Sequence, residues 1–167
     1  MDATHIHLIL THFPIVGTLI GIAILIFGQF TDNKTIKKVA FITLITMAIL
    51  TIPVYLSGEE AEDTVENIAG VSENIIEEHE ELAEVAIWFM GLLGLFSLIS
   101  YFAVEKEYTF AKLISIITIV ISIATFGIFA KLANLGGEIQ HSEIRKVNNN
   151  NRSSDTYLRN HDDDDDD

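Results

Sequence analysis

Five of the six histidines, His5, His7, His12, His79 and His141, stand at or near the ends of long apolar runs. Carboxylates gather around them: Glu59, Glu60 and Glu62 follow the second run, Glu80 adjoins His79, and Glu138 and Glu143 flank His141. Imidazole and carboxylate together form a donor set for zinc, iron or manganese. Glu138 and His141 make a Glu-x-x-His pair, whose i, i+3 spacing puts both on one helix face, as in carboxylate-bridged di-iron bundles. Such bundles use two of these motifs and this chain has one. Glu59 and Glu62 share the i, i+3 spacing. A b-type haem would need two histidines on facing helices and an apolar slot. His12 with His79 or His141 would serve, beside Phe13, Trp88 and Phe89. The density of carboxylates favours a metal ion over haem.

Helix phase narrows the set. His5 and His12 are seven residues apart and share a face, whereas His7 is turned ~140° from His12 at ~100° per residue. A regular helix therefore cannot aim both His7 and His12 at one ion, although Pro14 disturbs the turn before it. We assign His12 and His79 to interior faces, and expect His5, His7 and Glu60 to meet water. The expected ligands are His12, His79 and His141, with His7 as a further candidate. Glu59, Glu62, Glu80 and Glu138 are expected as ligands or as acceptors that orient the imidazoles.

These residues are positioned by apolar segments. Leu8 to Phe30, Val39 to Leu56, Val85 to Val104 and Phe110 to Leu135 are nearly free of charge. Each approaches or exceeds the ~20 residues that a helix needs to cross a bilayer. No alternation marks them as barrel strands. The expectation is an all-α integral membrane four-helix bundle with spans at about 6–30, 39–56, 83–104 and 110–135. The first run is expected to stay in place rather than act as a cleaved signal, because no basic segment precedes it and no small-residue cleavage site follows. An acidic connector joins the second and third helices. Within it 61–68 reads as a short helix, Gly70 as a break and Ser72 as an N-cap. The paired Gly136 and Gly137 are expected to end or bend the last helix. Residues 1–146 then form the membrane domain, and 147–167, rich in asparagine and aspartate, a disordered tail.

Even spans put both termini on one side. Lys34, Lys37, Lys38, Lys106 and Lys112 lie at the two short loops of the other side, which marks that side as cytoplasmic. The expected location is a bacterial inner membrane with both termini periplasmic. A net charge of -14 argues against nucleic acid as a partner. With no cysteine there is no thiolate ligand. Phosphate-loop, nucleophile-elbow and His-Glu-x-x-His motifs are missing, with Ala83 standing where the second histidine of the last would be. An independent enzyme is therefore not expected. A transporter using the same histidines would need polar residues across the bilayer, and the far halves of the spans offer little beyond Gln29, Thr43, Thr46, Ser97 and Ser115. A purely structural subunit, its His and Glu satisfying one another, is the remaining alternative.

The segment from His7 to Pro14, with His12-Phe13-Pro14 at its end, resembles the opening signature of a widespread family of bacterial four-span membrane proteins of unknown function. Ser57-Gly-Glu-Glu-Ala-Glu62, His79-Glu80 and Gly136-Gly-Glu-Ile-Gln-His141 resemble its later motifs, so the likeness covers roughly residues 5 to 145. Relatives occur fused to Rieske or cytochrome c domains, which implies a respiratory or cytochrome partner. This chain carries no such domain, so electron transfer would need a separate protein.

Overall fold

The computed structural model describes residues 3–65 and 73–140; the side chains of 3, 4, 59, 60, 62–65 and 140 lie outside that description, as does the expected tail at 147–167. Four helices make up the described residues: α1 (Ala3–Phe30), α2 (Lys34–Val65), α3 (Glu73–Glu105) and α4 (Ala111–Gln140). All four are long and apolar enough to cross a membrane. The chain is an all-α four-helix bundle of the multi-pass membrane class.

The helices run longer than the expected spans. The stretch expected as a separate short helix from Ala61 is, through Val65, the continuation of α2. Gly136 and Gly137 do not end α4, which continues to Gln140. With 28 to 33 residues each, the helices measure ~42–50 Å against a ~30 Å hydrocarbon core. Exposed aromatic side chains lie towards both ends of the bundle: Phe13 and Trp88 towards the histidine end, and Phe27, Phe30, Phe102, Tyr108 and Phe110 towards the lysine end. Trp and Tyr favour the membrane–water boundary. From Phe13 to Phe30 is ~26 Å at ~1.5 Å per residue.

Tight turns join α1 to α2 and α3 to α4. Asp32 and Glu107 take left-handed backbone there, with φ of 47° and 56°, and the Asn33 carboxamide caps α2 by accepting from the Ile36 amide at 3.1 Å. Packing runs from α1 to α2, α2 to α3 and α3 to α4, while α4 closes only lightly on α1. Lipid tails are as apolar as leucine, so helices associate through close contact of small residues rather than through exclusion of water. Gly17, Gly21 and Gly28 of α1 accordingly face Met47, Leu44 and the Lys37 backbone, and Gly94 faces Ala48. Leu25, Phe41, Leu44, Met90, Leu93 and Phe129 fill the centre. Serine and threonine hydroxyls are also buried, whereas Leu19, Ile49, Trp88, Val120 and many other large apolar groups face outward. This inversion suits a lipid environment.

A candidate imidazole cleft at the histidine end of the bundle

On α1 the buried positions are Pro14, Thr18, Gly21, Ile22, Leu25 and Gly28, alternating three and four residues apart but for the Gly21–Ile22 pair. Extended one heptad back from Pro14, this stripe reaches His7. The His7 ring turns towards α2, where its Nδ1 lies 3.1 Å from the Val54 carbonyl and 3.0 Å from Ser57 Oγ. Ser57 Oγ donates to the same carbonyl at 2.8 Å. With Val54 O able only to accept, Nδ1 carries a proton and donates. Gly58 makes room for the ring: a Cβ there would stand 3.2 Å from His7 Cε1.

A matching arrangement joins α3 and α4. Ile76, Ala86, Met90 and Leu93 form the buried stripe of α3, and His79 sits on it, three residues after Ile76. Its ring packs over Gly136, with Cε1 3.4 Å from the position a Cβ would take. His79 Nδ1 is fully buried and has no hydrogen-bond partner. Each hairpin thus lays the imidazole of its first helix over a glycine of its second.

Glu138 is 2% exposed and accepts from Asn134 Nδ2 at 3.1 Å, one turn earlier on α4. The continuation of α4 through the two glycines brings this carboxylate inward. Lys131 pairs with Glu78 at 3.1 Å, tying α4 to α3 near the same end. At ~1.5 Å per residue, His7 lies ~9 Å beyond Phe13 and His79 ~13 Å beyond Trp88. The cleft therefore sits in the terminal turns of the four helices, at the histidine end of the bundle.

Two sequence expectations are corrected. His12 does not face the interior. It is exposed on the lipid-facing side of α1, and its Nδ1 lies 2.6 Å from the Leu8 carbonyl of its own helix. His7, expected to meet water, is the residue that turns inward. The two lie ~140° apart on α1, and the inward side is that of His7. Interior faces of membrane helices are marked by small residues, and the glycines of α1 indicate the side of His7. Glu80 is also exposed, one residue round the helix from His79. Glu59 and Glu62 fall within α2, but their side chains lie outside the described residues, and so does His141. Among the described residues, no three His, Asp or Glu side chains come together as a metal-binding group. Ser57 and Asn134 were not singled out as site residues; Ser57 stands one position before the glycine that makes room for His7.

The chain matches no protein-family model, no curated protein and no solved structure.

Proposed function

We propose that the cleft holds a transition-metal ion, with His7 Nε2 and His79 Nδ1 as its two anchoring donors, and that the chain is a metal-handling or redox accessory to a separate respiratory or cytochrome protein. One observation carries the reading: each hairpin turns one imidazole inward at the same end of the bundle, one with Nδ1 bonded to Val54 and Ser57, the other with a buried nitrogen lacking any partner. A metal-bound histidine commonly has its other ring nitrogen fixed by a carbonyl, as His7 does. Iron, zinc and manganese all accept imidazole with carboxylate. Further donors come from the acidic segment that begins at Glu59, directly after Gly58, and from His141, three residues after Glu138. His12 is not a member of this set.

The excess of lysine in the turns at the opposite end supports a cytoplasmic position for that end. On this reading the cleft faces the periplasm of a bacterial inner membrane, within reach of a soluble or membrane-anchored electron carrier. The resemblance of the four motifs to relatives joined to Rieske or cytochrome c domains agrees with such a neighbour.

Elemental analysis of the purified protein, with an optical spectrum of the same sample, tests the reading. Stoichiometric iron, zinc or manganese is expected, lost in both His7→Ala and His79→Ala but retained in His12→Ala. A folded, metal-free protein overturns it. Iron accompanied by an intense Soret band would assign the same imidazoles to b-type haem.

A further inference from the structure

The two hairpins, α1 with α2 and α3 with α4, are joined unequally along their length. Among the described residues, the ion pairs that cross from one hairpin to the other lie at the lysine end: Lys34 with Glu107 at 3.1 Å and Lys38 with Glu105 at 2.7 Å. Lys34 Nζ also donates to the Glu105 carbonyl at 3.0 Å, and the Lys38 ammonium stands 5.4 Å from the centre of the Tyr101 ring. At the histidine end the contacts described above run within a hairpin. His7 bonds Val54 and Ser57 and lies over Gly58. Lys131 pairs with Glu78, His79 lies over Gly136, and Ile139 packs on Ile76.

Two prolines mark where this changes. Pro14 lies inside α1 and Pro53 inside α2, while α3 and α4 contain none. Counted from the contacts of Gly17 with Met47 and of Gly58 with His7, the prolines stand within ~4 Å of one depth, at ~1.5 Å per residue. Lacking an N–H, each deprives the carbonyl four residues earlier, Leu10 or Ile49, of its helical hydrogen bond. Such positions are where a helix bends most easily. The central apolar cluster respects the same boundary. Every residue that α1 and α2 give it, from Ile15 to Leu25 and from Ala40 to Ala48, lies on the lysine side of the prolines. Beyond them α4 closes only lightly on α1, so the seam between these two helices is where the ends can part.

We propose that the bundle is a clamp. The ends of α1 and α2 beyond Pro14 and Pro53 move together as one jaw, the ends of α3 and α4 form a fixed jaw, and the lysine end is the base. Each jaw carries one imidazole with the glycine that seats it. Bending at the prolines therefore changes the separation of the imidazoles without disturbing either seat. Closure rests on the metal-binding reading above: an ion held by His7 and His79 together draws the jaws shut. A ligand shifts such an equilibrium only if it binds one state better, and an ion that needs both imidazoles meets that condition. Metal occupancy then sets the shape of the end of the bundle that a partner meets.

The chain contains no cysteine, so pairs of spin labels can be attached without background. Double electron–electron resonance in lipid nanodiscs compares two pairs of exposed positions across the α1–α4 seam. His5→Cys with Ala133→Cys reports the histidine end, and Phe27→Cys with Leu113→Cys the lysine end. Without metal, the first pair should give a distance distribution roughly twice as broad as the second, and Pro14→Ala with Pro53→Ala should remove the difference. Zinc ion should shorten the first mean distance by ~5 Å, a bend of ~20° over the ~13 Å from Pro14 to His5, and leave the second unchanged. Equal widths in the metal-free protein, or a width that the proline variant leaves unaltered, would overturn the hinge. Zinc that binds without moving the first distance would overturn the closure. Absence of zinc binding defeats the metal-binding reading and closure with it, while the metal-free widths still decide whether the prolines act as a hinge.

Discussion

At the lysine end, Gly28 lets α1 approach α2 until a Cβ would stand 2.9 Å from the Lys37 backbone nitrogen; at the histidine end, Gly58 and Gly136 face imidazole rings instead. Glycine serves both ends, but against different neighbours. A backbone cannot give way, whereas a ring at 3.2–3.4 Å can shift by a few tenths of an ångström. Ion pairs reinforce the first end: Lys37 with Asp32 at 2.6 Å, Lys38 with Glu105 at 2.7 Å and Lys34 with Glu107 at 3.1 Å. Among the described residues the second end has one ion pair, Lys131 with Glu78, and the buried, unpartnered Nδ1 of His79. The lysine end holds its helices by backbone contact and ion pairs, and the histidine end by imidazoles laid over glycine.

Substitutions can break that contrast. Gly28→Val should cause the largest loss, ~3 kcal/mol or more, because an overpacked contact against backbone can be relieved only by separating α1 from α2; thermal unfolding in detergent measures it. If Gly28→Val melts like the parent, the lysine end is not the rigid one. On the proposed metal-binding reading, Ser57→Ala at the cleft should weaken metal binding by roughly tenfold, the low end for loss of a group that orients a ligand, since the Val54 carbonyl still holds His7 Nδ1. Competitive chelation measures the change, while the melting temperature of the metal-free protein should move little. Gly136→Ala sharpens the contrast further. Its new methyl meets His79 at ordinary contact distance, and alanine is the better residue within a helix, so stability should rise by ~0.5–1 kcal/mol. A marked loss would show that the imidazole is as tightly held as the Lys37 backbone.

The smallest expected effect is electrostatic. The Lys37 ammonium bonded to Asp32 holds that carboxyl below its ordinary 3.8. A group with a lowered folded-state pKa contributes stability above its unfolded value and loses it as pH falls through the folded one. Asp32 therefore adds nothing pH-dependent near neutrality and sheds its contribution only below about pH 4. Asp32→Asn should flatten the acid limb of the stability curve in that window and leave the rest unchanged, as unfolding at pH 7 and pH 3 would show.

Much of the fold was legible because the bilayer imposes lengths. Four charge-poor runs of spanning size, turns carrying lysine and the start of α3 at Glu73 all follow from composition along the chain. The helix ends were less legible. Glycine pairs ordinarily stop helices, yet Gly136 and Gly137 continue α4, because Gly136 lies under the His79 ring and Ile139 packs on Ile76. The inward turn of Ser115, Thr118, Ser122 and Thr125 was missed for a related reason. Hydroxyls within an apolar run look incidental until their spacing is compared with that of the glycines.

The amino-acid sequence by itself determined that the chain crosses a membrane four times, with imidazole and carboxylate at one end and lysine at the other. Hydrocarbon solvates a long uncharged helix and little else, so span number and polarity follow from local composition. Only the tertiary structure decided that His7 rather than His12 turns inward. In water the apolar face of a helix reveals which side is buried, but in lipid every side is apolar. The inward face is then chosen by which small residues let neighbouring backbones approach, and that choice depends on the partner helix as much as on the helix itself.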